Sequence, residues 1–242
     1  AIGVKELIEL PQETINERFN VPDGQGIAYG IVGYATKGVA GGGFLYTNKE
    51  SLSIGLVIHL DELLKTGLQP AEVMEEFLAH PTIQPLIKGG KMVEYGAHLV
   101  PEGGLEMMPK LFMDGLLVTG DAAGFSINNG FVVRGMDLAL SSGVLAAETI
   151  LKAKQKEDFS ANSLSVYQQL LENSFVLKDM HTYAGAPSFM KSERLYQAYP
   201  HMLESLMTKI YTHTGLPKEH LMPMVMKSLK DSDVSLINLA KD

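Results

Sequence analysis

The 242-residue sequence contains no cysteine and no tryptophan. Without thiols this chain can hold no disulfide, no thiolate zinc site, no cysteine nucleophile and no iron–sulfur cluster, so redox chemistry would require a borrowed cofactor. Basic residues are also scarce: 20 Lys and Arg stand against 28 Asp and Glu, giving a net charge of −8 and a pI near 5.4. That balance argues against a nucleic-acid binder, which would present a basic face. No apolar run reaches the roughly 18 residues of a membrane span, and the first residues lack the charged, apolar and small-residue order of a signal peptide. A cytoplasmic protein is the expectation. What is present is a chain 45% hydrophobic and 20% charged, long enough to bury a real core in one large or two smaller domains.

Glycine divides the chain into two textures. Nine of the 24 glycines lie between Gly24 and Gly55, eleven between Gly89 and Gly143, and only Gly185 and Gly215 follow. The pattern predicts a glycine-punctuated, sheet-rich part and a helical remainder. Ile2–Leu10, Gly26–Ala35, Gly42–Tyr46 and Ser51–Leu60 read as short strands. Thr47-Asn48-Lys49-Glu50 reads as a hairpin connection between the last two, hence antiparallel pairing. Pro11 can open a helix through Phe19. Pro70–Ala79 carries apolar residues at helical spacing (Val73, Met74, Phe77, Leu78) and is followed by Pro81. Lys91–Val100 returns to strand character. The run Gly115–Thr119 is predicted to be a strand buried on both faces, Ile127–Val133 a loop, and Met136–Ala153 a helix rich in small residues. Further helices are expected at about 163–178, 201–213 and 217–230. The fold class is α/β (α+β): an antiparallel-rich sheet region (1–110), a strand–loop–helix segment (111–155) and a helical C-terminal region (156–242).

The chemistry concentrates in Gly115-Leu116-Leu117-Val118-Thr119-Gly120-Asp121-Ala122-Ala123-Gly124-Phe125, followed by Asn128 through Asp137. A strand ends on an acidic residue and passes through small residues into a helix, the edge where ligands of open α/β sheets lie. Asp121 can accept hydrogen bonds from sugar-like hydroxyls. Gly120, Ala122, Ala123 and Gly124 permit close backbone approach, and a helix beginning near Arg134-Gly135-Met136 would aim unpaired amides at an anionic group. Plainer readings stand beside these. Asp121 suits a helix-capping role, Arg134 suits either a phosphate or a neighbouring carboxylate, and Gly41-Gly42-Gly43 suits a turn or bulge. The seven histidines form no His-x-x-x-His or His-Glu-x-x-His pattern, so no metal site is expected. The methionines around Met222, Met224 and Met226 suit core filling or an adaptable partner surface.

The segment 115–137 resembles the third FAD-binding segment of geranylgeranyl reductase-like flavoproteins, and more closely the electron-transfer-flavoprotein:quinone oxidoreductase group with its FixC-type members. Gly41-Gly42-Gly43-Phe44-Leu45-Tyr46, His80-Pro81, Gly89-Gly90-Lys91, Tyr95-Gly96-Ala97, Pro101-Glu102-Gly103-Gly104 and Pro109-Lys110 agree in order, so the resemblance spans nearly the whole chain. It implies an FAD-dependent oxidoreductase moving electrons between an electron-transfer flavoprotein or a small ferredoxin-like iron–sulfur partner and a quinone-type acceptor. The chemistry would be the flavin's, with no catalytic side chain. Gly120, Asp121, Ala122, Ala123, Gly124, Arg134, Gly135 and Met136 are implied to contact FAD, and Gly41 and Gly42 the quinone. The localisation implied is cytoplasmic, peripheral to the inner face of the membrane. The family's opening Gly-x-Gly-x-x-Gly unit has no counterpart: Gly38, Gly41, Gly42 and Gly43 precede a strand, not a helix. Together with a start at Ala1 that reads as a strand under way, this leads to the expectation of a C-terminal fragment, short of FAD and inactive by itself. A prenyl-lipid reductase and a non-catalytic binding module are the alternatives.

Overall fold

A computed structural model describes residues 1–130, 133–232, 234 and 235. The chain divides into two compact units, one formed by 1–99 with 191–242 and the other by 100–190.

The first unit is organised by the alternation of strands. β1 (Ile2–Glu9) leads through Pro11 into α1 (Gln12–Phe19), and β2 (Ala28–Ile31) precedes the hairpin of β3 (Gly41–Thr47) and β4 (Ser51–Ile58). Helices α2 (Leu60–Thr66), α3 (Pro70–Ala79) and α4 (Gln84–Ile87) follow, then β5 (Lys91–Leu99). The five strands form one antiparallel sheet in the order β2-β3-β4-β1-β5. The β3–β4 connection closes as its turn residues predict: Asn48 N–H donates to the Ser51 carbonyl at 2.8 Å, and the Asn48 amide reaches the hydroxyls of Ser51 and Ser53. Leu52, Ile54, Leu56 and Ile58 repeat every second residue and all turn into the core, as the strand period requires. They pack with Val4 and Ile8 of β1, Ile15 and Phe19 of α1, and Val73, Met74 and Phe77 of α3. Pro70 occupies the first turn of α3, where its missing N–H costs nothing. β5 ends the sheet and is exposed at all nine positions. Glu6 shares the core-facing side of β1 with Val4 and Ile8. Burial, and to a lesser degree the Glu75 carboxylate, raises its pKa above the ordinary carboxylate range.

The same unit contains α10 (Glu193–Tyr196), α11 (Ala198–Tyr211) and α12 (Leu221–Asp231). Gln197 donates to the Gly38 carbonyl, and a side chain at Gly33 would meet Pro200 at 3.2 Å. Lys218 caps the C-terminal end of α11, donating to the carbonyls of Lys209, Ile210 and Thr212. A cation there complements the negative end of the helix.

The second unit opens with the short hairpin β6 (Phe112–Met113) and β7 (Leu116–Leu117), then β8 (Ile127–Asn128) paired with β9 (Val133–Arg134). Helices α5 (Met136–Gln155), α6 (Ala161–Leu164), α7 (Val166–Asn173), α8 (Phe175–Thr182) and α9 (Ala186–Phe189) complete it. α5 buries the stripe Leu138, Ser142, Ala146, Thr149 and Ala153, residues three and four apart on one helical face. Leu138 and Ala146 pack with Phe125, Tyr167, Leu171, Val176 and Met180.

Three local expectations are corrected. The run 115–119 is not buried on both faces: Leu116 is 46% exposed, because β7 is two residues long and among the described residues pairs with β6 alone. The helix expected over 163–178 is three helices, since Ser174 leaves the helical conformation (ψ 172°) and its hydroxyl accepts from the Val176 N–H to start α8, while Ser165 marks the break before α7. The segment read as a loop, 127–133, contributes both strands of the β8–β9 pair. Phe131 and Val132, within that loop, lie outside the described residues.

Candidate functional site

The site is built where β7 hands over to α5. Thr119 is extended (φ −132°, ψ 166°), Gly120 is left-handed (φ +60°), and one 3₁₀ turn over Gly120–Ala123 ends on left-handed Gly124 (φ +72°). Only glycine takes these two reversals without strain. The turn is closed by backbone bonds from Gly124 N–H to the Asp121 carbonyl (2.9 Å) and from Phe125 N–H to the Gly120 carbonyl (3.2 Å). Ala123 and Phe125 point inward and are fully buried, which leaves Asp121 and Ala122 exposed.

Opposite this turn, α5 begins. Gly135 precedes its first residue and supplies no side-chain cap. A Cβ at Gly135 would lie 3.9 Å from Asp121 Oδ1, and one at Gly120 would lie 3.4 Å from the Ala139 Cβ. The Asp121 carboxylate therefore stands beside the amino-terminal end of a twenty-residue helix, with no side chain between them. Met136, at that end, is 85% exposed. An open carboxylate acceptor, small neighbours and a helix amino terminus can hold a hydroxylated, flat or anionic ligand on one side.

Gly120, Asp121, Ala122, Ala123, Gly124, Arg134, Gly135 and Met136 thus come together in the second unit. The Arg134 guanidinium is bonded to two carboxylates: Nε and Nη2 donate to Asp137 Oδ2 at 3.0 and 2.5 Å, and Nη1 to Asp179 Oδ2 at 2.7 Å. The Arg134 hydrogen bond holds the Asp137 carboxyl below the usual carboxylate range, and the backbone N–H groups of Leu138 and Asp137 act in the same direction. Asp137 in this way satisfies part of the first turn of α5. Gly41 and Gly42 belong to β3 in the first unit. A side chain at Gly41 would collide with the Val57 carbonyl at 2.2 Å, whereas one at Gly42 would approach the Ile31 carbonyl at 3.1 Å.

Asp137, Asp179, Ser142 and Tyr167 support the site; Asp137 closes the segment named in the sequence, but the pairing of Asp137 and Asp179 with Arg134 and the roles of Ser142 and Tyr167 were not legible there. One signal was available for Ser142: like Thr149, it is a hydroxyl residue on the buried stripe of α5, where apolar residues are expected. Among the described residues no helix is long and apolar enough to cross a membrane.

Comparison with known families and proteins gives a consistent answer. The family model described as ETF-QO, ubiquinone-binding, matches residues 1–100, and that described as ETF-QO/FixC family C-terminal domain matches 186–242. The chain is 46% identical over its whole length to the probable electron transfer flavoprotein-quinone oxidoreductase YdiS of Escherichia coli K12, and 44% identical to Protein FixC of the same organism, covering 56% of each relative. It is 41% identical over 221 residues to Protein FixC of Azorhizobium caulinodans, covering 90% of this chain and 50% of that relative. The chain therefore spans little more than half the length of the curated relatives it matches. A solved geranylgeranyl bacteriochlorophyll reductase-like protein from Thermoplasma acidophilum superposes with a TM-score of 0.57 at 16% identity, covering 96% of this chain and 52% of that one. This last likeness is one of fold.

Proposed function

The chain belongs to the ETF-QO/FixC family, and from that premise we propose that it supplies one wall of the flavin site and the quinone-side sheet of an FAD-dependent oxidoreductase. In this reading electrons pass between an electron-transfer flavoprotein, or a small ferredoxin-like iron–sulfur protein, and a quinone-type acceptor at the inner face of the cell membrane. The observation that carries it is the open Asp121 carboxylate beside Gly135, at the start of α5. A carboxylate oriented by a glycine-bounded turn suits the hydroxyls of a ribityl chain, and a helix start whose preceding residue, Gly135, supplies no side-chain cap suits a charge-bearing ring edge.

A bound flavin supplies the two-electron chemistry. The chain's own residues bind and orient it: Asp121 accepts hydrogen bonds, Gly120 and Ala122 to Gly124 let the backbone approach, and Gly135 with Met136 presents the helix terminus. We assign Arg134 the task of tying the entrance of α5 to α8 through Asp137 and Asp179, with no direct phosphate contact. Gly41 and Gly42 are the proposed quinone contacts, which the ubiquinone-binding family model over 1–100 supports.

The test is Asp121→Ala in the flavin-loaded protein. Loss of a charge-assisted hydrogen bond is expected to weaken FAD binding about tenfold or more, read by recovery of flavin fluorescence on dilution. Unchanged retention of flavin would remove the basis of the assignment.

A further inference from the structure

Two hydroxyl groups are buried beneath the Asp121 turn, from two different helices. Ser142 of α5 is 0% exposed. Its Oγ donates to the Ala139 carbonyl at 2.8 Å, so its lone pairs remain for the Gly120 N–H, which donates to it at 3.0 Å. Tyr167 of α7 is also 0% exposed, and its hydroxyl donates to the Val118 carbonyl at 3.2 Å. The backbone is thereby held at residue 118 from α7 and at residue 120 from α5, and the next residue is Asp121. Burial pushes the Tyr167 hydroxyl up to about 12, so the phenol stays a donor throughout the physiological range.

We infer that Ser142, assisted by Tyr167, is the positioning residue of the cofactor site: by fixing the Gly120 amide it sets the left-handed turn that aims the Asp121 carboxylate at the ligand. This rests on the flavin reading of Asp121. A serine is needed for a geometric reason. Gly120 at φ +60° turns its N–H toward α5, where the 22 residues separating it from Ser142 bring in the acceptor. An apolar residue would fill the same volume and take away the acceptor of that partly buried amide. Neither hydroxyl reaches the exposed side of the turn, so both act through Asp121 and the backbone.

The experiment combines Ser142→Ala, Tyr167→Phe and Asp121→Ala, with Ser142→Thr as the variant that keeps the hydroxyl. In the flavin-loaded protein Ser142→Ala is expected to weaken FAD binding about fivefold, the worth of one neutral hydrogen bond, with a smaller loss for Tyr167→Phe and near-normal binding for Ser142→Thr. Ser142→Ala combined with Asp121→Ala is expected to bind no worse than Asp121→Ala alone, because positioning a carboxylate that is absent has no value. Hydrogen exchange at the Gly120 amide gives a readout that needs no flavin: Ser142→Ala is expected to accelerate it well beyond its neighbours while Ser142→Thr leaves it slow. Unchanged Gly120 exchange in Ser142→Ala would overturn the inference, and so would losses from Ser142→Ala and Asp121→Ala that simply add. If Asp121→Ala leaves FAD binding intact, the flavin assignment fails instead, whatever the Gly120 exchange shows.

Discussion

Glycine serves opposite purposes in the two units. In the sheet, glycines fill positions where neighbours leave no space: a Cβ at Gly55 would lie 2.3 Å from the Val4 carbonyl and 2.5 Å from the Phe44 ring, and one at Gly43 would touch Phe77 at 3.0 Å. In the turn before α5, Gly120 and Gly124 have ordinary room around them, the nearest atoms at 3.4 and 3.8 Å, but adopt left-handed backbone. The first group is fixed by packing and the second by chain direction. Residues that look alike in a sequence therefore fail differently when replaced.

The largest expected effect is Gly55→Ala, which drives a methyl into the β1 backbone and the Phe44 ring. It should cost about 3 kcal/mol or more, seen as a large fall in Tm, and a small shift would mean the sheet yields more than its pairing suggests. Gly42→Ala separates packing from recognition in the other direction. Its nearest obstacle is a carbonyl of β2, the sheet's edge strand, which can give way. The fold should survive, while quinone affinity falls about tenfold if Gly42 meets the quinone through its backbone. Equal affinity would reduce this glycine to a sheet residue.

In the second unit, Arg134→Ala tests whether the turn-and-helix region depends on its charges. It removes the bonds to Asp137 and Asp179 and should cost about 1 kcal/mol at neutral pH, the upper range for partly exposed pairs. The Asp137 pKa is lowered in the folded state, so its stabilisation is present above the unfolded carboxylate value of 3.8 and is lost as pH falls through the lower folded one. The difference between wild type and Arg134→Ala, read by denaturation at several pH values, should shrink in that acidic window. Glu6→Gln is the smallest change and has the opposite sign. The folded pKa of Glu6 is raised, so burying its charge opposes folding above that pKa and ceases to do so below the unfolded value near 4.5. The glutamine variant should be slightly more stable at neutral pH and no different in strong acid.

The parts of the fold visible in the sequence are those governed by short-range pattern. Helix α3 starts at Pro70 and ends at Ala79 as its spacing and the following proline require. The β3–β4 hairpin follows from alternation and from a turn whose asparagine bonds locally. Family membership was also visible, because an ordered series of glycine-containing motifs survives in a linear reading. What was hidden depends on distant residues. Nothing near Arg134 announces Asp179, 45 residues away, as its partner. Leu116 looks like a core residue until the shortness of β7 is known, and the break at Ser174 depends on one hydroxyl that accepts from the Val176 N–H while donating back to the Leu171 carbonyl. The sequence pointed to Asp121 and its small neighbours as one turn before a helix, and the fold has that turn; the hydroxyls buried beneath it, Ser142 and Tyr167, were not visible.

The open margin at β5 carries a practical lesson for anyone handling this polypeptide. Met92, Val93, Tyr95 and Leu99 are all exposed on that terminal strand, and such a margin is a template on which a second strand can zip. Concentrated samples should be watched for growth of β-rich oligomers, and a lysine or proline placed at Val93 is the direct means of blunting the margin.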